Sequence, residues 1–533
     1  MPFRTPLALA AFLASAGILV AVDPPRALPP VTTGKDTTVV TGPFDTDGTI
    51  DYETALNERM KGKSTADTNA VVLLLKAIGP KPEGSLLHAD YYKWLGVKEL
   101  PEKGDYLVRQ AELFEDEIRG DDPQAFWDRE GELRTRPWTA KEEPKFAEWL
   151  AVNEKPLKVV AEATKRPDYF YPFLARRQTG ERDVLFNSLL SMVQRTREVA
   201  SILSLRVMLR CGERKYDAAW QDVMTMHRLG RLVSKGGSLI ELLVGIAIDS
   251  IARGVALRFL EVAKPDAKQA LGYRDDLAKL PPLATVADKL DLSERFTFLD
   301  CAQFVRRDGF RFLNGLLDRN LPDAPAEVVE ATLARLDWDR VLKTGNRWHD
   351  RMAAAMRKPT RAERQAALAA MDADLKTAKV AADFDGIIRD SGQADKRAAA
   401  SDRAGDLLTG LVLPTVAKVS EAADRQEVQF RTELLAFALA AHFAEHKKYP
   451  AKLADLVPKY AAAIPGDTYS GKDLIYKPVA VGYELYSVGR NGTDDGGHML
   501  QDDPPGDDYG LRMPHSKKAW PTPDGGPVNP AKK

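Results

Sequence analysis

Val428-Gln-Phe430-Arg-Thr-Glu-Leu434-Leu-Ala-Phe437-Ala-Leu-Ala-Ala-His442-Phe-Ala-Glu445-His446 runs into Tyr449-Pro450 and then to Leu474-Ile-Tyr476 and Tyr483-Glu-Leu-Tyr-Ser487. Phe430, Leu434, Phe437 and Ala441 fall on one helical stripe, and Val428, Leu435, Leu439 and His442 on an adjoining one, so this helix is apolar around much of its girth and should be largely buried. Tyr449-Pro450 ends it. After a short turn at Leu453 to Val457 and the Ile464-Pro465 step, two runs rich in β-formers flank Pro478 to Gly482, the pattern of an antiparallel hairpin. Residues 426–500 therefore read as a small α+β module, a long helix plus an antiparallel hairpin.

Towards the N-terminus the period stays helical from Asp51 to about residue 425, and no continuous stretch alternates as a half-buried strand does. Leu185, Leu189, Met192, Val199 and Leu203 define one stripe. Gly212 is placed to close that helix in a left-handed conformation, and Trp220, Val223, Met224 and His227 resume the pattern, giving a helical hairpin. His227, beside Trp220 and Met224, reads as a hydrogen-bonded core residue. Ser238 and Glu241 have the spacing of a capping box at the start of another helix. Arg361 to Ala370 is rich in alanine and charge, which suits a solvated outer helix. The fold class is thus mainly α: an irregular helical array over 51–425, followed by the small module.

The two ends read differently. Leu7 to Val22 is free of charge after Arg4, the pattern of a signal peptide or membrane anchor over residues 1–22. As a helix it would extend about 24 Å, short of a bilayer core of roughly 30 Å. Residues 23–50, with prolines at 24, 25, 29 and 30, read as a flexible linker, and residues 501–533 as a largely disordered tail with little fixed structure beyond Leu511 to Met513. Export places the two cysteines, Cys211 and Cys301, in an oxidising compartment; their apolar neighbours favour buried free thiols over a bridge.

Composition narrows the function. Lys and Arg number 76 against 77 Asp and Glu, so no net field attracts nucleic acid, and a membrane contact is expected only through the N-terminal segment if it is uncleaved. There is no Gly-x-Ser-x-Gly elbow, P-loop, dinucleotide fingerprint or Cys-x-x-Cys pair. One catalytic pattern does occur: His442-Phe-Ala-Glu445-His446 matches the inverted zinc-peptidase motif, in which His442 and His446 share a metal one helical turn apart and Glu445 is the base. A third protein ligand is missing from it, and His446 equally suits a helix C-terminus.

Lys448-Tyr-Pro450, Ile464-Pro465, Gly471 and Gly482-Tyr-Glu-Leu-Tyr-Ser-Val-Gly489 with Asn491-Gly492 resemble the globular domain of the major pseudopilin of type II secretion systems. The whole architecture also resembles a group of large exported proteins of planctomycete bacteria. Gly236-Gly-Ser-Leu-Ile-Glu241 is similar to a type IV prepilin signal, although far from the N-terminus and explained locally by the capping box. The pseudopilin resemblance implies calcium in the loop after the last strand, with Asn491, Thr493, Asp494, Asp495 and Asp502 as oxygen donors. Together these readings lead to an exported protein of the periplasm or cell envelope, extracytoplasmic or anchored in the inner membrane, with a structural or protein-interaction role and no enzymatic one. Its expected partners are envelope or secretion-assembly proteins. The alternatives are a zinc-dependent peptidase and a pseudopilus component of a type II secretion-like system.

Overall fold

Ser191–Gly212 and Tyr216–Val233 form the expected helical hairpin, but its first helix starts later than read: Leu185 sits in a separate short 3-10 turn and Leu189 lies outside the described residues. Leu239–Ala263, hereafter the central helix, packs on both. Gly212 serves closeness rather than handedness: a Cβ there would lie 1.9 Å from the Trp138 carbonyl oxygen, while Arg214 takes the positive φ of the turn. Gly230 and Gly245 do the same between the second and third helices, where a Cβ on either would fall within 2.8 Å of the other's carbonyl oxygen. Two facing glycines let the backbones meet. The central helix starts at the capping box read from sequence, with Ser238 Oγ accepting from Glu241 N at 3.1 Å and Ser238 N donating to Glu241 Oε2 at 3.0 Å.

The computed structural model describes residues 28–175, 183–188, 190–316, 324–381, 384–410, 413–479 and 482–514. It is mainly helical, with one small three-stranded antiparallel sheet near the C-terminus. The apolar N-terminal run and residues 515–533 lie outside the described residues; no described helix is long and apolar enough to cross a membrane.

Three cores organise the chain. The first joins Ala70–Ile78, the helical hairpin and the central helix to Leu435, Phe437 and Leu439 of the last helix and to Tyr483, Leu485 and Leu511 of the sheet. The second gathers Tyr52, Leu56, Phe296 and Trp338, and the third gathers Leu242, Trp348, Met352, Leu368 and Val419. The last helix, Leu413–His446, is about 51 Å long at 1.5 Å per residue and feeds Val416 and Val419 to the third core and Leu435 to Ala441 to the first. It runs unbroken across the 425/426 division read from sequence. At its far half Trp220 meets Tyr273 at 4.5 Å, Phe259 at 5.4 Å and Phe437 at 5.4 Å between ring centroids, so body and module share one aromatic cluster.

The predicted hairpin is β1 (Ile475–Val479) and β2 (Gly482–Ser487), with Tyr476 opposite Leu485. A third strand, β3 (Tyr509–Met513), pairs on the other side of β2 with Leu485 opposite Leu511. The strand falls on the Leu511 to Met513 exception read from sequence, while the described structure also takes in residues 501–510 of the segment read as a tail; the partner of the strand is what local composition does not reveal. Residues 28–50 likewise pack rather than tether. Asn346 Nδ2 donates to the Asp36 and Thr37 carbonyls at 3.1 and 2.7 Å, Tyr52 Oη donates to the Thr38 carbonyl at 3.1 Å, and Gln303 exchanges two hydrogen bonds with the Ile50 backbone at 2.9 Å. Both cysteines are free, Cys211 buried in the first core and Cys301 half-buried, with burial raising both thiols and taking Cys211 to about 12.

Candidate functional site

The loop from β2 to β3 is where the expected oxygen donors sit. It folds back on itself because Gly489 takes φ +67° and lets the chain pass the Asp507 carbonyl, which a Cβ would meet at 1.9 Å. That crossing brings Asp495 together with Asp507 and Asp508, which precede β3. Asn491 N donates to Asp507 Oδ2 at 2.8 Å, Asp507 N to Asp495 Oδ2 at 3.0 Å, and Gly497 N to Asp508 Oδ2 at 2.8 Å. One oxygen of each carboxylate is thereby fixed by a backbone amide. Asp508, 1% exposed, keeps its Oδ1 without any hydrogen-bond partner, and Asp507 Oδ1 is also buried and unpartnered.

One ligand atom from each of Asp495, Asp507 and Asp508 lies within 4.8 Å of the other two. Oxygens coordinated to one Ca²⁺ at 2.3 to 2.6 Å stand at most about 5 Å apart, so the spacing fits a hard cation, as does an all-oxygen donor set. Three like charges in one place also leave an electrostatic mark. Burial pushes the Asp508 carboxyl up to about 6, against the amides that hold it and with the help of the Asp495 and Asp494 charges. Asp495 moves the other way, lowered chiefly by the Asp507 amide.

The donors expected from sequence divide. Asp495 belongs to the cluster. Asn491 supports it, donating its Nδ2 to Asp495 Oδ2 at 3.2 Å, while its Oδ1 accepts from Thr493 N at 2.6 Å. Asp494 faces elsewhere, its Oδ1 accepting from Tyr486 Oη at 3.0 Å and Gly496 N at 2.9 Å. Asp502 is bound through both oxygens to Arg512 at 2.8 and 2.9 Å, which overrides burial and lowers its carboxyl. Asp507 and Asp508 were not among the expected donors. The Gly506-Asp-Asp508 turn before an alternating Tyr509-Gly-Leu511-Arg-Met513 run was the available signal.

His442 and His446 do share a helix face, with ring centroids 4.4 Å apart. Their surroundings are those of a helix end. His442 Nδ1 donates to the Lys448 carbonyl at 3.0 Å. The Tyr460 hydroxyl donates to Glu445, leaving His446 Nε2 to donate to the Tyr460 oxygen at 3.1 Å. Glu445 also pairs with Lys459, and these contacts lower its carboxyl, so the presumed base is already engaged. Among the described residues no carboxylate or thiol completes a three-ligand group with the two histidines.

His227 is a core residue as expected, but a charged one. Fully buried, its Nδ1 meets Asp249 Oδ1 of the central helix at 2.9 Å, and its Nε2 faces Glu433 Oε1 of the last helix across 3.2 Å. Arg231 Nε and Gln426 Nε2 also donate to Asp249, at 3.2 and 2.6 Å. Desolvation alone would lower the imidazole; Glu433 and Asp249 outweigh it and raise His227 to about 9. With His227, Asp249 and Glu433 all buried, this cluster joins three helices. Asp350 pairs with Arg295 at 2.7 Å, and the neighbouring His349 donates its Nδ1 to the Gly345 carbonyl at 2.9 Å.

No protein family matches the chain, and comparison with curated proteins and with solved structures yields no match.

Proposed function

We propose that this is an exported protein of the periplasm or cell envelope with a structural or protein-interaction role, whose C-terminal pseudopilin-like module is locked by a calcium ion held by Asp495, Asp507 and Asp508. The observation that carries the reading is the pair of buried, unpartnered oxygens, Asp507 Oδ1 and Asp508 Oδ1, beside a third carboxylate. An unpaired buried carboxylate oxygen is costly, and a divalent cation removes both that cost and the mutual repulsion of three acids. The exposed stretch from Arg490 to Thr493 would then be presented in one conformation, as a contact surface for an envelope or secretion-assembly partner.

Few protein ligands imply weak binding, with a dissociation constant on the order of 10⁻⁴ to 10⁻³ M, which suits an extracytoplasmic compartment. The test is isothermal titration of the full chain with Ca²⁺, alongside Asp508→Asn. Saturable binding of one ion that the variant loses supports the reading. No binding up to 10-fold above that range overturns the metal site, as does unchanged binding by the variant. Recovery of no reproducible partner from envelope extracts in the presence of Ca²⁺ would count against the interaction role. The buried position of Gly236 to Leu239 favours this reading over prepilin-like processing, and the engaged Glu445 favours it over a zinc peptidase.

A further inference from the structure

A cleft of about 300 Å³ opens on the helical body, far in sequence from the acidic loop, where three helices end together: Glu154–Ala163, Tyr216–Val233 and Ala267–Ala278. Cations beyond a helix C-terminus ordinarily offset the negative end of its dipole, so a basic lining alone says little. The charge balance says more. Of the cations lining the cleft, Arg231 is answered by Asp249 and Lys165 by Glu162 at 2.7 Å. Four remain. Arg166 and Lys235 bond only main-chain carbonyls here, those of Ala66 and Asn69 for the first and Pro167 for the second. Arg228, half-buried, and Lys279, exposed, have no carboxylate partner among the described residues.

Asp276 is the acid in the lining, and it is fixed by the Trp220 indole, which donates to it at 3.0 Å. Setting Asp276 and about half a negative charge from each helix end against those four cations leaves roughly one to two positive charges in excess. A phosphate monoester carries about −1.5 to −2 near neutral pH, which matches. The volume lies at the lower limit of small-molecule sites and exceeds what a bare phosphate fills, while Met224, Leu232 and Leu280 supply apolar wall.

We infer that this cleft binds a phosphate monoester, with Arg228 and Lys279 on the phosphate and the apolar wall against the carbon portion. An ester is distinguished from free phosphate by that wall. The test is titration of the full chain with phenyl phosphate and with inorganic phosphate at low ionic strength. Phenyl phosphate should bind saturably and at least about 10-fold more tightly than inorganic phosphate. Arg228→Gln should weaken it about 10-fold or more, and Lys279→Gln, whose side chain is exposed and outside the core, should weaken it with the thermal transition unchanged. Absence of saturable binding, equal affinity for both anions, or wild-type affinity in Lys279→Gln and Arg228→Gln together would overturn the inference. Calcium binding at the acidic loop is independent of each of these outcomes.

Discussion

Glu433→Gln removes one of the two carboxylates that hold the His227 imidazole charged inside the protein. In the native fold His227 titrates at about 9 against an ordinary value of 6.5. At about 1.4 kcal/mol per pH unit this corresponds to roughly 3 kcal/mol of stability tied to one proton. The folded value lies above the unfolded one, so that stability is fully present below pH 6.5 and drains away as pH rises through 9. In Glu433→Gln burial opposes a single remaining partner, Asp249, and the imidazole falls back towards its ordinary range. Arg231 and Arg253 are the cations near the same carboxylates and are present in both proteins. Urea unfolding followed by far-UV circular dichroism at pH 6.5 and 9.5 reads the effect. The wild type should lose about 3 kcal/mol more than the variant across that window. Cys211 and Cys301, whose thiols burial also raises, titrate in both proteins and cancel in the difference. Parallel losses in the two proteins would refute the charged-imidazole account.

Further outcomes follow from the same structure. Phe437→Ala should cost about 3 to 5 kcal/mol, because it opens the aromatic cluster around Trp220, and the loss should appear in one transition shared by body and module. Gly212→Ala drives a methyl into the Trp138 carbonyl and should lower stability by about 1 to 3 kcal/mol in thermal unfolding, where an ordinary helix position would gain from the change. Without Ca²⁺ the loop between β2 and β3 should loosen as pH rises through about 6, since Asp508 has a raised carboxyl and becomes charged beside Asp495; hydrogen exchange over 489–508 reports it, and Ca²⁺ should restore protection.

Local rules carried the helical hairpin, the capping box at Ser238 and Glu241, and the pairing of β1 with β2, since each depends on residues a few positions apart. What escaped depends on distance along the chain. β3 pairs only because β2 is already in place, and the acids and prolines before it suggest disorder by composition. Thr37 and Thr38 lie in a turn-rich stretch yet are buried against helices far downstream, where Asn346 holds the strand of chain by its carbonyls. The candidate site shows the same division: Asp495 was legible in its loop, but Asp507 and Asp508 join it only through the reversal at Gly489. His227 was legible as a buried residue, but not as a cation, because Asp249 and Glu433 answer it from two other helices.

The last helix belongs to two cores at once, and this governs how the protein can come apart. A proteolytic cut near Lys447 leaves the whole helix on one fragment and the sheet on the other, both embedded in the first core, so the pieces stay associated until denaturant releases them together.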